Sequence, residues 1–215
     1  MCRMLLANRE GIHRLQRALE TVSGCSSLGA YLQDLELRDG GDGNGYALLK
    51  DRSLVELRKG VSLTCGEIAL RILREDYDWV LFHSREASEG SVTDANCHPF
   101  SVPGTLHLVG AVNGNEAFLS GLARAGGNIT DSEFILRMIS RMKLPLFPTL
   151  ETFESNFFGF YGGYPFVKKG NRDMLIWRQE KGIVFASDFP FGMNNLVKPP
   201  QNYCWCNGRE LGEKS

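Results

Sequence analysis

No apolar run in this 215-residue chain approaches the roughly 20 residues of a membrane span. The opening MCRMLLANREG is interrupted by Arg9 and Glu10 too early to act as a secretory signal, so the expected location is the cytoplasm. An excess of one charge is also missing: 24 Lys and Arg stand against 25 Asp and Glu, a net charge of -1. That balance argues against non-specific binding to nucleic acid or to an anionic membrane. There is no repeat and no low-complexity linker. The six cysteines are scattered without the spacing of a disulfide framework, so they are expected to be reduced, several as small buried hydrophobes. No metal site is expected. Cys204-x-Cys206 supplies half of one, no His lies near it, and Cys97-His98 is a remote source for the other half. What is present is the composition of a folded globule, 43% hydrophobic and 10% aromatic. We read residues 1–215 as one domain, with the Pro-rich polar stretch 198–215 as a peripheral tail.

Apolar periodicity sets the expected elements. Met4 to Ala7 reads as a buried strand, and Ile12, Leu15, Leu19 and Val22 recur at helical spacing. The turn Asp42-Gly43-Asn44-Gly45 feeds a strand at Tyr46–Leu49. Ile68 and Ile72 mark a helix, and Trp79–His83 and Leu106–Val112 mark buried strands. Thr130-x-x-Glu133 has the form of a capping box, ahead of an apolar helical face that Pro145 and Pro148 are expected to end. Asp173–Trp177 and Gly182–Ser187 read as adjacent strands. Strands, then helices, then strands point to helix layers on antiparallel or mixed sheets rather than to βαβ units.

Three segments carry candidate chemistry. Cys2 follows Met1 directly. Removal of Met1 would leave a thiol and a free α-amine on one residue, with ordinary pKa values of about 8.5 and about 7.7–8.0. A nucleophile and its base would then share one Cα. A retained Met1 would block that amine. The loop HSREASEGSVTDANCHPF after the strand at Trp79–His83 is dense in polar groups, as a loop shaping a site would be. Asn113-Gly114 ends a strand. That dipeptide is a common hairpin turn, and it is also a pair of donors, amide and backbone N–H, that can converge on one oxyanion.

Cys2, the segment His83-Ser84-Arg85-Glu86-Ala87-Ser88-Glu89-Gly90, the segment Asn96-Cys97-His98-Pro99-Phe100, Asn113-Gly114 and Thr130-Asp131-Ser132-Glu133 stand in an order that resembles the class II glutamine amidotransferase domains. These are N-terminal nucleophile hydrolases, and the pattern is closer to their stand-alone branch. The turn at Asp42 and the strand end Ala186-Ser187-Asp188 are similar to that family too. Glu86 stands where many members carry an aromatic residue, and Val112 where many carry His.

The resemblance implies an α+β fold, a four-layer αββα sandwich. It implies that Cys2 cleaves the side-chain amide of glutamine through a γ-glutamyl thioester, without a cofactor. It implies that Asn113 and Gly114 hold the oxyanion, that Arg85 grips the α-carboxylate, and that Asp131 pairs with the α-ammonium. Ser88 and Glu89 lie where the family makes further substrate contacts, and His98 is expected to hold its loop. No stretch after residue 190 is long enough for a synthase half. The ammonia would therefore go to water alone or to a separate synthase subunit; a homo-oligomer is compatible with either. Two readings stand beside this one: an N-terminal-Cys hydrolase of another γ-glutamyl or linear amide, and a catalytically silent regulatory or binding subunit.

Overall fold

The computed structural model describes residues 2–22, 25–88, 90–114, 116, 118–119, 121 and 129–211. Strand β1 (Arg3–Asn8) leads directly into helix α1 (Arg9–Leu19), which Asn8 caps by accepting the N–H of Gly11 at 2.8 Å. Helix α2 (Leu28–Asp39), strands β2 (Asn44–Lys50) and β3 (Ser53–Gly60), helix α3 (Cys65–Arg74) and strand β4 (Trp79–Ser84) follow. Next come β5 (Phe100–Val102), β6 (Leu108–Asn113) and two helices, α4 (Asp131–Arg141) and α5 (Leu146–Leu150). The rest of the described chain is strand: β7 (Asn156–Tyr161), β8 (Tyr164–Lys168), β9 (Leu175–Gln179), β10 (Gly182–Ala186), β11 (Leu196–Val197), β12 (Cys204–Cys206) and β13 (Arg209–Leu211).

These strands form two antiparallel sheets. One runs β11-β9-β10-β1-β4-β2-β3 and the other β13-β12-β8-β7-β6-β5. Their side chains alternate between two apolar layers, as the pleat requires. Met4, Leu6, Ala47, Leu81 and Phe185 of the first sheet meet Val109, Ala111, Phe158, Phe160 and Val167 of the second. The other face of the first sheet, with Leu5, Ala7, Phe82 and Val184, packs on α1, α2 and α3. The other face of the second, with Leu108, Val112, Phe157 and Phe166, packs on α4 and α5. The layers are therefore helix, sheet, sheet, helix, the αββα sandwich that the resemblance implies.

Three expectations need correction. Pro145 and Pro148 do not end α4. It stops at Arg141, Lys143 takes a positive φ, and Pro145 instead starts α5, which contains Pro148 in its first turn. Thr130 does cap α4, accepting the Glu133 N–H at 3.1 Å, but the reciprocal box is found on α3, where Thr64 and Glu67 bond each other's backbone. Nor is the stretch from 198 a peripheral tail. Strand β12 pairs with β8, and Trp205, 2% exposed, fills the layer between the sheets against Trp79 and Phe185. The polar, Pro-rich approach hides an indole whose burial contributes several kcal/mol.

The inter-sheet layer also holds polar groups at one end. His83 and His98 are buried, with His83 Nε2 and His98 Nδ1 2.9 Å apart. Burial pushes His83 down to about 3, and the nearby charge of Arg85 acts in the same direction. Burial, helped by His83, Lys59 and Arg85, holds His98 well below its ordinary value. Both rings are neutral at neutral pH, so His98 is a packed group that anchors its loop.

Two outcomes are expected. Trp205→Ala should lower unfolding free energy by about 3–5 kcal/mol, read from urea midpoints; a loss below about 1 kcal/mol would mean that β12 does not belong to the core. The depressed histidines set a pH dependence. An unfolded imidazole takes up its proton near pH 6.5, whereas the folded pair stays neutral far below it, so their contribution is complete above pH 6.5 and is lost as pH falls. The slope should reach about 1.4 kcal/mol per pH unit per histidine. Urea unfolding at pH 7.5 and 5.5 measures this, and equal stabilities would rule out the neutral pair.

Candidate active site

Strand parity aims three residues at one space. Cys2 precedes β1, two positions before inward-facing Met4; Arg85 follows β4, two positions after inward-facing His83 and four after Leu81; Asn113 ends β6, two positions after inward-facing Ala111. The β1–β4 register, with Arg3 opposite Ser84, brings the chain before β1 beside the chain after β4. Cys2 Sγ accordingly lies 3.5 Å from both the amide nitrogen and the carbonyl oxygen of Glu86.

The loop after β4 is braced from below. The N–H of Arg85 donates to Gly43 O at 2.8 Å, the N–H of Asp42 donates to Arg85 O at 2.9 Å, and the Asp42 carboxylate accepts the N–H of Ala87 at 2.7 Å. Arg85 itself is buried, and its Nη1 donates to Ser91 O at 3.2 Å. Asn96 Nδ2 donates to the same carbonyl at 3.0 Å. Ser88 is exposed on this loop, and Glu89 lies outside the described residues.

The second sheet and α4 supply the opposite wall. Asn113 is buried and pairs in register with Asn156, whose amide donates to the carbonyls of Arg172 and Asp173 at 3.2 and 3.3 Å. Gly114 has φ of +153°, and a Cβ there would collide with the Ser155 side chain, so only glycine fits. Asp131, buried at the first turn of α4, accepts the N–H groups of Ser132 at 2.8 Å and Glu116 at 3.2 Å. Glu116 in turn accepts from Ser155 N and Oγ at 2.9 and 2.7 Å, tying the exit of β6 to the entry of β7.

Cys2, Arg85, Asp131 and Asp42 share one electrostatic field. Burial raises the Cys2 thiol to about 11; the N-terminal ammonium and Arg85 pull it down, and Asp131 and Asp42 push it further up. The thiol is therefore protonated at neutral pH and reacts only if a base takes its proton. The structure brings Cys2, Arg85 and Asp131 together, with Asn113 and Gly114 at the same end of the sandwich. Sequence reading missed the bracing roles of Asp42, Glu116, Ser91 and Asn96. Only Asp42 left a signal, in its Asp-Gly-Asn-Gly turn. Among the described residues, no group of three or more His, Cys, Asp or Glu is arranged to hold a metal ion. No described helix is long and apolar enough to cross a membrane.

The chain matches no family model and no curated protein sequence. It is similar to solved structures. One is the allosteric regulatory enzyme of purine biosynthesis, with TM-score 0.62 and 19% identity, over 87% of this chain and 42% of that one. Another is glutamine phosphoribosylpyrophosphate amidotransferase from B. subtilis complexed with ADP and GMP, with TM-score 0.61 and 19% identity, again over 87% and 42%. A predicted glutamine amidotransferase from Pseudomonas aeruginosa PA01 aligns over 99% of this chain and 96% of its own, at TM-score 0.49 and 14% identity. The chain thus spans less than half of the first two structures. At this identity the likeness is one of fold: the chain has the α+β sandwich of these structures.

Proposed function

We propose that this chain hydrolyses the side-chain amide of glutamine, or of a related γ-glutamyl amide, with Cys2 as an N-terminal nucleophile. The observation that carries the reading is the Cys2 thiol flanked by Arg85 and Asp131, an opposite pair of charges beside a nucleophile. A free amino acid carries that pair as a carboxylate and an ammonium. The planar guanidinium of Arg85 suits the α-carboxylate, and the Asp131 carboxylate suits the α-ammonium. Ser88 and Glu89, on the loop after Arg85, would complete the amino-acid pocket.

A buried thiol needs a base to react, and Met1 removal would supply one on the same residue. The α-amine accepts the thiol proton as sulfur attacks the amide carbon. The tetrahedral oxyanion is met by the Asn113 amide and the Gly114 N–H. The C–N bond then breaks, and the α-ammonium protonates the departing nitrogen. Water, deprotonated by the same amine, attacks the γ-glutamyl thioester, releasing glutamate and restoring the thiol. The nitrogen leaves as ammonia, to water or to a separate synthase subunit. The amidotransferase likeness in fold agrees with this chemistry.

Cys2→Ala should abolish glutamate release from glutamine, and intact mass of the active protein should lack Met1. Full activity in Cys2→Ala, or in protein that keeps Met1, would refute the mechanism. Arg85→Lys should raise KM for glutamine by about tenfold or more, since one charge-assisted bond is worth roughly 1.5–3 kcal/mol; steady-state kinetics with an unchanged KM would remove Arg85 from the pocket. Asn113→Ala should lower kcat by about 10²–10³, and a kcat within threefold of wild type would exclude it as an oxyanion donor.

A further inference from the structure

Lys168 is the last residue of β8 and is 0% exposed. A lysine is almost never buried to that degree unless its head group is partnered. Val167 before it faces the layer between the sheets, so Lys168 faces the other way, beside its cross-strand neighbours Phe157 and Cys204. Burial holds its pKa below the ordinary value, against the opposing fields of Cys204, Glu116 and Glu151. The partners of the head group are two main-chain carbonyls. Lys168 Nζ donates to Phe153 O and to Ser155 O, the second at 3.2 Å.

Those carbonyls belong to the irregular segment between α5 and β7. Three consecutive carbonyls in it are engaged from residues 168–171: Phe153 O and Ser155 O by Lys168, and Glu154 O by the N–H of Asn171 at 2.7 Å. A Cβ on Gly170 would collide with Glu154 O, so main chain lies directly on main chain there. The N–H of Gly170 donates to Asn156 Oδ1 at 2.7 Å. Pairing of this kind is what buried main chain outside helices and sheets requires. Its place in the fold says what it serves. Ser155 is buried, and its side chain occupies the space that a Cβ on Gly114 would take. The residue before Gly114, Asn113, pairs in register with Asn156. Two residues after Gly114, Glu116 accepts from Ser155 N and Oγ at 2.9 and 2.7 Å. Gly114 thus takes its position from Ser155 and Asn156 on both sides.

We infer that Lys168 is a positioning residue for amide cleavage: by holding Phe153 and Ser155 it fixes the surface on which Gly114 rests, and with it the direction of the N–H that meets the oxyanion. The inference rests on the proposed mechanism. Lys168 touches no reacting atom. Its head group offers separate N–H donors on a long stem, so one side chain can satisfy two carbonyls two residues apart, which an apolar residue of like length cannot do. The amino-acid clamp depends less on this segment. Asp131 has its own anchor in the N–H of Ser132 at 2.8 Å, on a helix capped by Thr130, and Arg85 is held by Ser91 O. Loss of Lys168 therefore falls on the step in which charge develops on oxygen, and on kcat before KM.

Steady-state glutamate release from L-glutamine by the purified full-length protein tests this. Lys168→Met keeps the bulk of the stem and removes the donors. It should lower kcat by about tenfold or more, a part of the roughly 10²–10³ that loss of a whole oxyanion donor costs, with KM within about threefold of wild type. Competitive inhibition by L-glutamate, which uses the clamp and forms no oxyanion, should keep its Ki within about threefold. Ser155→Ala leaves Lys168 in place and carries the test if Lys168→Met fails to fold; its kcat should fall by about threefold or more at unchanged KM. A kcat within about twofold of wild type in either folded variant overturns the positioning role. So does a KM and Ki that rise as far as kcat falls, the pattern of a general loosening. Either result leaves the amide-cleavage reading standing, whereas wild-type protein that releases no glutamate overturns both.

Discussion

The apolar layer between the two sheets fixes the parity of every strand that borders it, and the site depends on that parity. Met4 and Leu6 must face Ala111, Val109 and Phe158, because turning them to the other side would expose the layer and bury the polar set. Once Met4 points inward, Cys2 is on the inward side of the same strand. Once Leu81 and Ala111 do, Arg85 and Asn113 are carried with them. A shift of one residue in β1 would put Cys2 beneath the helices of the outer layer. The thiol is positioned by hydrophobic packing along a strand whose other members have no chemistry at all.

The layer ends in polar groups, and its end is costly unless they are partnered. Arg85, Asp131, Asn156 and Ser187 are buried there, each bonded to main chain or side chain that joins a different element. These bonds connect the loop after β4, the start of α4, the β8–β9 connection and β1. They account for a site with little slack. They also account for the state of its thiol. Two cations, the N-terminal ammonium and Arg85, and two carboxylates act on Cys2 in opposite directions, and burial tips the outcome toward the neutral form. Arg85 alone would have favoured a thiolate; with Asp42 and Asp131 beside it, the charge that serves binding does not activate the nucleophile. Under the proposed mechanism the two tasks are divided, with side chains for recognition and the amine of Cys2 for proton transfer.

Much of this was legible in the residues, and the rest was not for identifiable reasons. Strands β1, β4, β6 and β10 were read from short apolar runs, and α1 and α3 from apolar positions at helical spacing. Helix α2 was missed because its apolar residues do not lie on one stripe: Leu37 is exposed while Leu28, Leu32 and Leu35 are buried. The β7–β8 hairpin was missed although Gly162-Gly163, both at positive φ, is the turn such a hairpin favours. Trp205 was misjudged because Pro199-Pro200 and polar neighbours read as surface, while pairing with β8 is a tertiary fact. The candidate residues Cys2, Arg85, Asn113, Gly114 and Asp131 were picked out through a pattern spread over the chain. The bracing role of Glu116 exists only as contacts to Asp131 and Ser155, which the sequence does not bring side by side.

A shared fold leaves the substrate open, and this chain spans under half of the first two matched structures. The substrate has to be argued from what surrounds Asn113. At that end of the sandwich, Arg85 and Asp131 act on Cys2 with opposite signs, and under the proposed reading that pair answers the headgroups common to glutamine and every γ-glutamyl amide. Charges that hold only those headgroups bind glutamine and its substituted amides alike, so contacts to the departing nitrogen are what would separate them.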